Sequence, residues 1–129
     1  MNRIVIYEPN PELLAMYRGQ LESQKFWVFA CQDEQEVKAL IQKQIFHLCL
    51  WSSENVESLE TIHYLKSQRP EMGFIVMSSI VDPAFIVSCI RSGASNFWAK
   101  TSESHTFIDV ITQTLGRIVP TSGQEPNID

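Results

Sequence analysis

The sequence is short of the residues from which several kinds of site are built. It has only 5 glycines, and they form neither G-x-G-x-x-G nor G-x-x-x-x-G-K. Nucleotide-phosphate cradles of those two types are therefore excluded. Cysteines number 3 (Cys31, Cys49, Cys89), without a C-x-x-C pair. An odd, scattered set argues against a disulfide scaffold or a structural zinc site and fits a reducing compartment; Cys49 reads as a small core residue. The histidines, His47, His63 and His105, lack ligand spacing and read as surface or strand-edge residues. Positive charge is also scarce: 10 Lys and Arg against 15 Asp and Glu give a net charge of -5. A domain of that sign repels phosphate backbones, so direct nucleic-acid binding by this segment is not expected. Long apolar runs are missing as well. Met1-Asn2-Arg3 leads into Ile4-Val5-Ile6-Tyr7, which is too short for a signal-peptide core or a membrane span. A soluble cytoplasmic protein with no membrane contact is the expectation.

What remains is ordinary globular material. A chain of 129 residues, 44% hydrophobic and 19% charged, is the size of one domain with its own core. Short apolar runs alternate with helical periodicity. Ile4 to Tyr7, Trp27 to Ala30, the stretch from Phe46 to Trp51, Phe74 to Met77 and Asn96 to Ala99 predict five strands. Between them, helix starts are marked by Asn10-Pro11, by Asp33 with Glu36, and by Asp82-Pro83. Leu59, Ile62 and Leu65 mark a third helix that stops before Pro70. A fifth starts over Thr101 to His105 and carries Phe107, Val110, Ile111 and Leu115 on one face.

Five β-α repeats predict a parallel sheet with helices on both sides and right-handed crossovers. The expected fold is a three-layer, flavodoxin-like (βα)5 sandwich with strand order 2-1-3-4-5. The domain is expected to span 1–118, and residues 119–129, with Pro120-Thr121-Ser122-Gly123, to form a tail or linker stub. In that order the third strand is central, and ligands bind beyond the carboxyl ends of such strands. Chemistry is therefore expected near Ser52, Ser53 and Glu54.

Ser78, Ser79 and the run Gly93-Ala94-Ser95-Asn96-Phe97-Trp98-Ala99-Lys100 resemble the receiver domain of two-component response regulators. In that family the fourth strand ends in Thr or Ser, and a Gly-Ala-x-x-aromatic-x-x-Lys segment closes the site. The resemblance spans residues 3–116 and is strongest from Phe74 to Lys100. It implies a carboxylate nucleophile at the end of the third strand, an acidic pair holding Mg²⁺ after the first, and a lysine and a hydroxyl that bind the phosphoryl group. It also implies that the aromatic residue reports the state of the site to the face formed by the fourth helix, fifth strand and fifth helix.

Aligned on this pattern, the chain departs from it at the centre. The acidic pair falls on Glu8 and Pro9, and the acceptor on Ser52. A serine without an adjacent base is a weak nucleophile, and one carboxylate is a poor Mg²⁺ site. The resemblance thus implies a pseudo-receiver: no enzymatic activity, no cofactor, no tight Mg²⁺, and signalling by protein contact with an attached or separate output, transcriptional outputs included. The alternative is a non-standard phosphorelay receiver using Glu54 or Ser52.

Individual residues carry narrower expectations. Lys100 is expected to pair with Glu8. Ser78 either gates Phe97 or satisfies a backbone group at the strand end. Phe97 reads as a packed aromatic or a switch, and Trp98 as an interface anchor or a core residue over the fourth or fifth helix. Glu54, Glu57 and Glu60 read as a solvated helix face, with Glu8 and Glu54 as weak cation candidates. A homodimer through the Phe97 face is a further expectation. Its salt-bridged form is not, because Ser95 and Asn96 stand where the family places acids.

Overall fold

The structure is a computed structural model and describes residues 2–118. Its elements run β1 (Arg3–Tyr7), α1 (Pro11–Ser23), β2 (Trp27–Cys31), α2 (Glu34–Lys43), β3 (Leu48–Ser52), a 3₁₀ turn (Val56–Ser58), α3 (Leu59–Gln68), β4 (Gly73–Ser78), α4 (Pro83–Arg91), β5 (Asn96–Ala99) and α5 (His105–Ile118). All strand pairs are parallel, in the order β2-β1-β3-β4-β5. The tail predicted for 119–129 lies outside the described residues.

The apolar runs are continuous because both faces of the sheet are covered. Alternation along each strand then divides the side chains between two cores. Val5, Cys49, Trp51, Phe74 and Val76 pack with Val37 and Ile41 of α2, Ile62 and Leu65 of α3, and Phe85 and Cys89 of α4. Ile4, Ile6, Leu48, Leu50, Ile75 and Met77 pack with Leu14, Tyr17 and Leu21 of α1 and Phe107, Ile111 and Leu115 of α5. Every residue of β3 and β4 is buried.

Helix starts follow the sequence signals, with one exception. The Asn10 carboxamide accepts from Glu12 N (2.9 Å) and Leu13 N (3.1 Å) ahead of Pro11. Asp33 and Glu36 form a reciprocal capping box. Asp82 precedes Pro83 as expected, but its side chain makes no capping hydrogen bond, so the first turn of α4 is fixed by other means. The ladder of β3 starts at Leu48, two residues later than the apolar run. His47 instead accepts on Nδ1 from Arg3 N (3.0 Å), and its carbonyl accepts from Gly73 N (3.0 Å). Among the described residues no helix is long and apolar enough to cross a membrane.

Candidate functional site

Residues just past β1 and at or past the end of β3 converge on one ammonium group, carried by the residue that follows β5. Lys100, just past β5, is held by its backbone N–H on Ser78 O (2.8 Å). Its Nζ donates to Glu8 Oε1 (2.9 Å), to Ser52 Oγ (2.5 Å) and to Glu54 Oε2 (3.0 Å). An ammonium has three N–H donors, and all are engaged. The expected Lys100–Glu8 pair is therefore present, within a larger network. Burial pushes the Lys100 amine down, but hydrogen bonds and attraction from Glu8 and Glu54 outweigh it and hold the amine above its ordinary 10.5.

Glu8 is 2% exposed. One of its oxygens takes the lysine; the other accepts from Asn10 N (3.0 Å), and its own N–H donates to Cys31 O (3.0 Å). Pro9, at the other position of the expected acidic pair, brings no side-chain donor atom; its carbonyl accepts from Gln32 Nε2 (3.4 Å). Ser52 closes β3 and is buried. Its hydroxyl oxygen faces the lysine ammonium, which draws electron density away from it, and both nearby carboxylates are paired with the same cation.

Glu54 departs from expectation. It is not part of a solvated helix face: it precedes the 3₁₀ turn, and its side chain folds back over the ends of β4 and β5. Oε1 accepts from Ser79 N (3.1 Å) and Ser78 Oγ (3.3 Å); Oε2 accepts from Ser79 Oγ (3.3 Å) and Lys100. The loop around it is tied down on both sides. Ser53 N donates to Met77 O (2.9 Å), and the Ser53 hydroxyl bonds Asn55 O (3.1 Å) and Ser58 Oγ. The Asn55 carboxamide accepts from Glu57 N (3.0 Å) and Ser58 N (3.2 Å) and caps the turn. Burial raises the Glu54 carboxyl, but hydrogen bonds from Lys100 and from the Ser79 N–H prevail and hold it below its ordinary 4.5. Glu57 and Glu60 are exposed, as expected.

Ser78 satisfies a backbone group, the second of its two readings: its Oγ accepts from Ile80 N (3.0 Å) while its proton is directed at Glu54 (3.3 Å). Phe97 is half-buried and meets Phe85 of α4 edge-on, with centroids 6.3 Å apart. Trp98 points the other way, as neighbours on a strand must. It is 6% exposed, packs between Tyr17 and Phe107, and donates from Nε1 to Thr106 Oγ1 (3.0 Å). So placed, it is a core residue between α1 and α5, and its edge also lines the cleft beside β5.

Sequence reasoning named Ser79 and Glu54 but gave Ser79 no role and did not foresee Glu54 folding back over β4 and β5. The available signal was Asn55-x-x-Ser58, a capping pattern that shortens the loop after β3 and leaves Glu54 within reach of β4. Among the described residues no cluster of three or more His, Cys, Asp or Glu could hold a metal ion.

The sequence matches no protein-family model and no curated protein. Similarity appears among solved structures. A CheY-like response regulator receiver domain protein from Methanospirillum hungatei JF-1 is 19% identical, with 95% of this chain and 99% of that chain covered and a TM-score of 0.86. NtrX from Brucella abortus is 19% identical, with 93% of this chain and 28% of that longer one covered, at a TM-score of 0.85. The beryllofluoride-activated NtrC4 receiver domain dimer is 17% identical, with 92% and 99% covered, at 0.83. At such identities the likeness is one of architecture, and with five parallel strands in the order 2-1-3-4-5 between two helical layers the chain has the CheY-like receiver fold of two-component response regulators.

Proposed function

We propose that this chain is an atypical receiver domain that signals by protein contact and takes up no phosphoryl group. The observation that carries this reading is the saturated Lys100 ammonium, whose three N–H groups are committed to Glu8, Ser52 and Glu54. A phosphoryl group entering here would have to displace one of these acceptors. Ser52, at the acceptor position, has no free base beside it and faces a cation, the reverse of what an activated hydroxyl needs. Mg²⁺ requires several hard oxygen ligands in near-octahedral geometry. Glu8 has both oxygens engaged and Pro9 offers only its carbonyl, so this donor set does not suit the ion. We assign the domain no cofactor and no enzymatic activity, and place it in the cytoplasm.

The output contact is assigned to the face made by α4, β5 and α5. There a cleft of about 530 Å³ is lined by Val81, Ile86, Phe97, Thr106, Asp109 and Val110. Val81 and two residues of α4, Val87 and Ile90, are about half exposed, at 50%, 46% and 46%. Apolar residues grouped on a surface favour a protein partner, whether an output domain or a second copy of the chain. The dimeric NtrC4 receiver and the longer NtrX chain support both arrangements by analogy.

A second reading keeps the phosphorelay, with Glu54 as acceptor, because its carboxylate reaches Ser78 and Lys100. One experiment separates the two. The protein is incubated with Mg²⁺ and acetyl phosphate, and intact mass is measured under conditions that preserve acyl phosphates. An unchanged mass is expected. Addition of one phosphoryl group, mapped to Glu54 or Ser52, would establish the second reading.

A further inference from the structure

We infer that Glu54 is a built-in ligand: Ser78 Oγ, the Ser79 N–H and hydroxyl, and Lys100 Nζ form a site for a small oxyanion, and the Glu54 carboxylate fills it from within the chain. This rests on the reading of the domain as a receiver that takes up no phosphoryl group, and it names what holds the pocket in its place.

The donors define the ligand. Four groups from two strand ends converge on two carboxylate oxygens, at 3.1 and 3.3 Å on Oε1 and 3.3 and 3.0 Å on Oε2. They comprise one cation, one backbone N–H and two hydroxyls, a set that suits a compact anion with oxygens on more than one side. A simple surface ion pair would use the lysine alone. Moreover, the Glu54 side chain remains 45% exposed, so it covers the site from the solvent side. It does not belong to the buried pair beneath, where Glu8 is 2% exposed. Neutralising Lys100 requires only one carboxylate, and Glu8 supplies it. The loop is also shaped for delivery, because Ser53 and Asn55 are both tied into it while Glu54 between them is directed outward to β4.

Occupancy of the site has a structural consequence. Ser78 and Ser79 begin the connection from β4 to α4, and Ser78 Oγ accepts from Ile80 N. Asp82 supplies no cap to α4. The start of that helix is held by Pro83, by Ile86 N on Asp82 O (3.1 Å) and by buried Phe85, and the connection before it is held at Ile80, through the serine that Glu54 grips. A bound anion orders the connection; its removal loosens it.

The test uses the whole chain and Glu54→Ala, with Glu57→Ala as the control for lost charge alone. Inorganic phosphate and acetate are titrated while amide resonances are followed by NMR. Wild type and Glu57→Ala should show no saturable shifts. Glu54→Ala should bind either anion at least about tenfold more tightly than wild type, with shifts centred on Ser79 and Ile80. Hydrogen exchange is the second readout: amides from Ile80 to Phe85 should exchange faster in Glu54→Ala and recover protection with added anion. If Glu54→Ala does not give a folded spectrum, Glu54→Ser, which also vacates the site and keeps a polar side chain, is titrated in the same way. The inference is overturned if the variant lacks saturable binding, if wild type or Glu57→Ala binds equally well, or if exchange near α4 is unchanged. Phosphorylation of the wild type would instead sink the underlying receiver reading, and only intact mass detects it.

Discussion

A lysine ammonium in a nearly closed pocket needs anionic neighbours, and Lys100 has two. Its side chain is 10% exposed and that of Glu8 is 2% exposed. Removing one member of such a pair leaves a buried charge without compensation, which costs about 3–5 kcal/mol. Lys100→Met should lose stability on that scale in urea unfolding at neutral pH. A loss under about 1 kcal/mol would mean the pair behaves like an exposed one. Glu54 makes a different prediction, because the folded state holds its carboxyl below its ordinary 4.5. A lowered folded value means that the contribution is complete above the unfolded value and is lost as pH falls through the folded one. Wild-type stability should therefore decline more steeply than that of Glu54→Gln below about pH 4.5. Melts recorded from neutral pH downward check this, and parallel acid limbs would contradict it. Lys100, held above 10.5, contributes at all lower pH and loses its share only as pH rises through its folded value.

At the scale of elements, the period-2 and period-3.6 patterns made the strands and helices readable. Both sheet faces are covered, so the strands appear as unbroken apolar runs. The caps at Asn10 and Asp33 follow from local chemistry and were legible for the same reason. The place of Glu54 was not, because it depends on where a short turn sets a loop against two other strands. The partners of Trp98 were legible in part: the fifth helix was among those expected and supplies Phe107, whereas Tyr17 of α1 was not foreseen. Alternation says that it opposes Phe97, but which helices cover that face is a tertiary matter. Its burial now gives a clear expectation. Trp98→Ala removes a side chain packed on Tyr17 and Phe107 and should cost about 3–5 kcal/mol. Denaturant midpoints measure it, and a change near zero would mean that Trp98 faces solvent after all. Gly93 offers a second test. It ends α4 with φ at +122°, and a Cβ there would lie 2.9 Å from Lys66 Cγ. Gly93→Ala should thus destabilise the protein by more than about 1 kcal/mol.

For the whole molecule, one of the two cores, the one between the sheet and α2, α3 and α4, encloses all three thiols. Cys31, Cys49 and Cys89 are free and buried. Burial pushes Cys31 and Cys89 up to about 11 and Cys49 higher still. Thiolates react and thiols do not. In native protein at neutral pH, a thiol reagent should label none of the three promptly, and all three in denaturant. Fast labelling of one in the native state would locate a region that opens readily. The parallel sheet was legible because it follows from repetition of a single β-α unit; its order, 2-1-3-4-5, was one of the few orders such repeats adopt, and the structure has it. The pocket was legible only in outline, since the residues missing from it could be read directly and the residue replacing them could not.

The saturated Lys100 ammonium has a consequence in time. An acyl phosphate is a clock, because its hydrolysis ends the message it carries. A carboxylate supplied by the same chain has no bond to hydrolyse, so the state it maintains lasts as long as the folded molecule. Under the proposed function such a domain would signal by its abundance: its message would start with synthesis and end with degradation or with competition for its partner.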